Sequence, residues 1–257
     1  MSALDPPKAL LFVYGECGPH VTEEEFSGKL VSSSPAYTSS NSRQEWYDNE
    51  HAPARLTVKG FSTALRYKAT DSLQPTWLAI YDIATPEVIS SDDYKSLRVK
   101  ASQRESDIVS RLQTLDRRVY TLISTREHDL GQSSVQLPGK FILVVSMEPS
   151  LEGEVEFNRW YEEEHMELIS KIPGWLRGRR YKILSQNELG GKVDTRKTAP
   201  APSYLAIYEF DRPAFLEQPE MKGTATPWAA RVTRDIIKRR EGIRVFELYK
   251  NFGSPPA

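Results

Sequence analysis

The chain has 257 residues, of which 34 are basic and 35 acidic, for a formal net charge of −1 at pH 7. That balance excludes the concentrated basic excess of a nucleic-acid binder, so no nucleic-acid partner is expected. A single cysteine, Cys17, excludes an intrachain disulfide, and with four histidines it leaves too few ligands for a structural zinc site.

The apolar run "ALLFVY" (9–14) opens the chain as a strand. It follows two prolines and is too short for a signal core or a membrane span, so a soluble, intracellular protein of the cytoplasm with no membrane partner is expected. "SSSPAYTSSNS" (32–42) reads as an exposed loop. Ser42 and Glu45 then form a capping box for a helix that carries "EWYDNEH" (45–51). Two strands follow, around "RYK" (66–68) and in "PTWLAIYDI" (75–83). Ser91 caps a helix over "DDYKSLRVKASQRESDIVSRLQ" (92–113), and "RRVYTLIS" (117–124) is a strand.

"HDLGQSSVQLPG" (128–139) has the composition of a linker. Beyond it the order repeats. "KFILVVSM" (140–147) is a strand, and "EVEFNRWYEEEHMELISKI" (154–172) is a helix whose Phe157, Tyr161, His165, Leu168 and Ile172 recur at three- and four-residue steps. Pro173 and Gly174 stop it. "WLRGRRYKI" (175–183) is basic for a strand, so one of its faces has to meet polar groups or solvent. In "SYLAIYEF" (203–210), Tyr204, Ala206, Tyr208 and Phe210 share one face, and Leu205 and Ile207 the other. Thr226 and Pro227 start a helix over "WAARVTRDIIKRR" (228–240), and "IRVFELYK" (243–250) closes the chain as a strand.

The second copy matches the first in order. One constant offset carries Trp46 to Trp160, Tyr47 to Tyr161, Glu50 to Glu164, His51 to His165, Gly60 to Gly174, Arg66 to Arg180 and Tyr67 to Tyr181. "WLAIY" then matches "YLAIY" at a larger offset, the difference being an insertion within "SQNELGGKVDTRKTAPA" (185–201). The pattern predicts two halves, 8–127 and 140–252, joined by the linker 128–139. The expected fold is α+β: two ferredoxin-like βαββαβ repeats packed sheet to sheet as an intrachain α+β barrel. Such a chain is a monomer with an internal barrel or a homodimer.

The pattern W-Y-x-x-E-H, then a Gly–aromatic pair, then R-Y-K, resembles the EthD-like branch of the dimeric α+β-barrel superfamily, and it does so twice over nearly the whole chain. "EHAP" (50–53) keeps a proline that "EHME" (164–167) lacks, so one site is expected to dominate. The resemblance implies a pocket between the sheet and the helices of one half. It also implies a choice of chemistries: cofactor-free monooxygenation, polyketide cyclisation, lactone isomerisation, decarboxylation of aromatic polyketides, or haem binding.

His51 and His165 are the candidate catalytic groups, because imidazole gives and takes protons near neutral pH. Tyr47 and Tyr161 lie one turn before them and are candidates to donate hydrogen bonds to a phenolate or enolate. Tyr81 and Tyr208 are expected to line the pocket from a strand and help bind substrate. Arg66 and Arg180 either hold a substrate carboxylate or pair with Glu50 and Glu164. Trp46 and Trp160 read as core anchors. No phosphate-binding loop, dinucleotide fingerprint or nucleophile elbow is present, so no cofactor is expected. The expected function is a cofactor-independent enzyme of secondary metabolism or aromatic catabolism, a lyase or isomerase. It would use His/Tyr proton transfer for decarboxylation, cyclisation or isomerisation of an aromatic or polyketide-type small molecule. The alternatives are a cofactor-free monooxygenase of the same fold and a non-catalytic small-molecule-binding protein.

Overall fold

A computed structural model describes residues 7–27, 46–128, 136–190 and 200–253. The expected capping box at Ser42 and Glu45, with the serine-rich loop before it, lies outside these residues, as do parts of the linker and the insertion. Eight strands are interspersed with helices: β1 Ala9–Glu16, β2 Leu65–Ala69, β3 Trp77–Ile83, β4 Thr114–Glu127, β5 Phe141–Pro149, β6 Trp175–Glu188, β7 Tyr204–Phe210 and β8 Ile237–Asn251. They close an antiparallel barrel in the order β1-β3-β2-β8-β5-β7-β6-β4. Each half of the chain contributes four neighbouring strands. The two sets join edge to edge through β2–β8 and β4–β6, which leaves no open sheet edge. The sheets therefore meet as one closed wall, not as two layers with free edges.

Period-two alternation sorts the strand residues between two environments. Leu10, Phe12, Tyr67, Ile80, Ile142 and Phe246 are among those that fill the barrel interior. The opposite face carries Leu11, Ala79 and Tyr81 in one half and Leu143, Ala206 and Tyr208 in the other, under two separate layers of helices. The central pairings match between the halves. Leu11 faces Tyr81 as Leu143 faces Tyr208, Arg66 faces Ala79 as Arg180 faces Ala206, and Leu10 faces Tyr120 as Ile142 faces Phe246.

The helices over the first half are α1 Glu23–Ser27, α2 Ala52–Leu56, α3 Asp92–Val99 and α4 Gln103–Arg111. Those over the second are α5 Glu154–Trp160, α6 Met166–Ile169, α7 Pro219–Gly223 and α8 Pro227–Arg231. Two sequence expectations need correction. The helix expected over 92–113 is two helices, because Ser102 caps a new one by accepting a hydrogen bond from the backbone of Glu105 at 2.9 Å. The helix expected over 228–240 ends sooner, and Ile237 to Arg240 are already strand, paired with Pro149 to Met147 of β5. A helical apolar pattern there gave way to the barrel's need for a long closing strand. Thr226 and Ser91 cap as expected, accepting from the backbone N–H of Ala229 and Tyr94. Gly174 takes φ 87°, and a Cβ there would lie 2.5 Å from Asp211 Oδ1, so the turn that stops the helix requires glycine. Among the described residues no helix is long and apolar enough to cross a membrane.

Candidate active site

Both copies of the heptad wind as a π-helical turn, Tyr47–His51 and Tyr161–His165. The carbonyl of Tyr47 accepts from the N–H of Ala52, and that of Tyr161 from Met166, five residues on. The wider turn has a consequence that α-helical spacing hides. Residues five apart on an α-helix point about 140° away from each other; the wider π turn brings them closer to one face. Trp46 therefore packs on His51 with ring centroids 4.6 Å apart, and Trp160 on His165 at 4.4 Å. Tyr47 and Tyr161 hold the same histidines at 4.8 and 5.0 Å. Sequence reasoning placed the tryptophans in the core and missed that each forms one wall of its histidine's surroundings.

From this shared frame the halves diverge. In the first, His51 is buried and its Nδ1 lies 2.9 Å from Glu105 Oε1. Arg55 stands 3.6 Å from the same carboxylate and donates to the His51 carbonyl at 2.7 Å. The Tyr47 and Tyr81 hydroxyls bond each other at 2.9 Å. Ile108 and Leu112, from and just after α4, pack into the same core, and the space bounded by Val13, Phe26, Tyr47 and Leu115 has no room for a water. In the second half a cavity of about 300 Å³ is bordered by Leu143, Val145, Trp160, Tyr161, His165 and Tyr208. Its far wall is built of small residues before and within α8: Thr224, Ala225, Ala229 and Ala230. By the matching caps, Ser102 and Thr226, the second half has Ala229 where the first has Glu105, while Ile108 and Leu112 have their counterparts in the buried Val232 and Ile236; the missing glutamate side chain is left as volume. His165 Nδ1 is buried there without a hydrogen-bond partner.

Burial pushes both imidazoles down to about 4. Arg55 reinforces the shift at His51 against the opposing pull of Glu105, and Arg180 and Arg240 reinforce it at His165. His165 is thus a neutral imidazole at physiological pH, free to accept a proton or hydrogen bond. Burial raises the phenols of Tyr161 and Tyr208, so both keep their protons and remain donors.

The arginines of the two R-Y-K segments are structural in their contacts. Arg66 pairs with Asp48, and its guanidinium lies 4.3 Å from the rings of Tyr47 and Trp77. Arg180 donates to Glu162 at 2.6 Å and Asn158 at 2.7 Å and lies 4.0 Å from the Tyr161 ring. The expected partners, Glu50 and Glu164, are not used. Glu164 accepts instead from Thr226 Oγ1 at 2.6 Å, tying the heptad to the cap of α8. Each arginine reaches across the ring of its tyrosine to the very next residue, Asp48 or Glu162.

Of the residues expected in the site, the structure brings Tyr161, His165 and Tyr208 to one cavity. It places Tyr47, His51 and Tyr81 together in packed surroundings. One polar group at the cavity, Arg240, escaped sequence reasoning because its segment reads as helix. The small-residue run 224–230 was the legible signal for the cavity itself. Among the described residues no cluster of three or more His, Cys, Asp or Glu side chains is arranged to hold a metal ion.

No family model matches the chain, and no curated protein matches it in sequence. Solved structures do match. An anthrone oxidase-like protein aligns over 100% of this chain and 97% of its own, with 13% identity and a TM-score of 0.59. A protein of Fusobacterium nucleatum, provisionally named a monooxygenase, aligns over 99% of this chain and 97% of its own, with 10% identity and a TM-score of 0.49. Barrel order and full-length alignment together show that the chain has the fold of the dimeric α+β-barrel superfamily, with a whole barrel made by one chain.

Proposed function

We propose that the chain is an enzyme whose second half binds a compact aromatic molecule and takes a proton from it through His165, with cofactor-free oxygenation as the favoured outcome. The observation that carries this reading is the unpaired imidazole of His165 in a cavity that is otherwise mostly apolar. A volume of about 300 Å³ sits at the small end of what small-molecule sites enclose. Neutral imidazole removes a proton from an acidic C–H or O–H of the ring system. Protonated Tyr161 and Tyr208 then donate to the oxygen on which the charge settles. A carbanion formed at an aromatic methylene adds dioxygen and a proton to give a hydroperoxide. Loss of water leaves a ketone, so that CH₂ and O₂ become C=O and H₂O with no external reductant. The anthrone oxidase-like relative in fold supports this choice over decarboxylation, cyclisation or isomerisation, which share the proton transfer but need no oxygen.

The halves 8–127 and 140–252, with 128–139 between them, are on this reading ferredoxin-like copies of one duplicated unit of the EthD-like branch, a history supported by their matching registers. The first copy has become scaffold.

The test is a mass-spectrometric screen of phenols and aromatic methylene ketones with oxygen uptake followed in parallel. Product carrying oxygen from ¹⁸O₂, lost in His165→Gln, is expected. Turnover that persists under argon would replace oxygenation with isomerisation or decarboxylation. Binding without any turnover would leave a binding protein. The purified protein is expected to show neither flavin nor Soret absorbance, and a Soret band would redirect the reading to haem.

A further inference from the structure

Arg240 is the one cation among the residues bordering the second-half cavity. Its neighbours on the same strand are committed elsewhere. Arg239 donates to the Pro200 carbonyl, and Arg244 pairs with Asp71 at 2.7 Å. Arg240 donates only to Thr233 Oγ1, at 2.8 Å, and no carboxylate among the described residues lies within ion-pair reach of it.

Its position is built by an irregularity of β8. On β5, Val145 and Met147 are two residues apart and share a face; opposite them on β8 stand Ile243 and Arg240, three apart. Plain alternation would send Ile243 and Arg240 to opposite faces. A bulge at this point, with Gly242 at φ 103°, returns both to the cavity side. Glu241, between them, turns the other way and holds Arg118 of β4 at 2.6 and 2.7 Å. The corresponding pairing in the first half, β1 with β4, runs without a shift, and the residue opposite Gly15 is the buried Leu115. A guanidinium at the mouth thus belongs to the half with this cavity, and the bulge that aims it has no counterpart in the β1–β4 pairing of the first half.

We infer that Arg240 selects an anionic aromatic molecule, its guanidinium pairing at the cavity mouth with a carboxylate or ionised phenol of the bound ligand. The inference rests on the reading that this cavity is the substrate site. Exposed Leu216 and Ile243 flank the same opening, so an aromatic body enters between apolar walls while its acidic group stays at the rim.

The probes are 2-naphthoate and its neutral isostere 2-naphthamide, titrated into the full-length protein by calorimetry at pH 7.5, with Arg240→Gln and Arg240→Lys beside the wild type. The acid should bind about tenfold more tightly than the amide, a margin that shrinks with added salt. Arg240→Gln should abolish the margin and leave the amide's affinity and the melting temperature unchanged, while Arg240→Lys should keep part of it. Equal affinities in the wild type, or a preference that survives in Arg240→Gln, would overturn the assignment of Arg240 alone. Failure of both probes to bind the folded wild type would overturn it together with the reading of the cavity as the substrate site.

Discussion

The two halves of the barrel carry the same Trp-Tyr-His arrangement on the same π turn and have made opposite use of it. In the first, the histidine, tyrosine and arginine each have a companion: His51 with Glu105, Tyr47 with Tyr81, Arg66 with Asp48. In the second, Arg180 keeps its acidic partner, while His165 has none and faces a hollow. A buried polar group without a partner costs stability, roughly 1–3 kcal/mol. The proposed function puts the chemistry at the copy whose imidazole is left without a partner. The difference comes less from the heptads than from what covers them: Glu105 over one, Ala229 at the matching helix position over the other.

The sharpest way to break this comparison is to remove each histidine in turn. His165→Gln should lower turnover by about a hundredfold or more, the usual scale for loss of a general base, with folding intact because the amide fills similar space. His51→Gln should leave turnover within a few-fold. Equal losses, measured as kcat/KM on a substrate from the screen, would mean that both copies act.

Next in size is the response to acid. Both histidines titrate near 6.5 when unfolded and near 4 when folded, so the unfolded chain binds protons first as pH drops. Stability is full above about pH 6.5 and falls as pH goes down towards about 4, by about 3 kcal/mol for the buried His51. Urea unfolding at pH 7.5 and 4.5 checks this, and His51→Gln should show a smaller drop than the wild type. Activity needs neutral His165, so its acid limb should appear near pH 4 and not near 6.5.

Filling experiments distinguish the packed half from the hollow one. Ala79→Leu forces a branched side chain into a space without vacancy and should cost about 1–3 kcal/mol in denaturant unfolding. Ala229→Leu extends into the cavity and should be near neutral for stability while blocking ligand binding. The smallest effect is expected from Glu105→Gln, which exchanges a charged partner of His51 for a neutral one. It should cost about 1 kcal/mol and leave turnover unchanged. A large fall in activity there would restore the first half to the catalytic account.

Much of the architecture was legible because it rests on local signals. Alternation in "SYLAIYEF" assigns Tyr208 to one core and Ile207 to another, and the structure puts them there. The basic strand "WLRGRRYKI" demanded polar company, and Arg177, Arg179 and Arg180 find Glu209, Asp82 and Glu162. The errors cluster where a local pattern was overruled from a distance. Ile237 to Arg240 follow a helical sequence, but pairing with β5 draws them into the strand. The heptads look α-helical, and a single widened turn brings a tryptophan onto each histidine. Glu105 lies 54 positions from His51, too far for any local pattern to join them.

By itself the sequence determined the number and order of the strands in each half, the faces they bury, and which tyrosines and histidines recur together, because periodicity and capping act within a few residues. Only the tertiary structure decided that the two sheets close into one wall, that one histidine bonds a distant glutamate while its twin has no such partner, and that a bulge at Gly242 turns an arginine towards a cavity. Those outcomes depend on which side chains from remote segments compete for the same volume and the same hydrogen bonds. Close packing settles that competition differently in the two halves even though the motif they share is nearly the same.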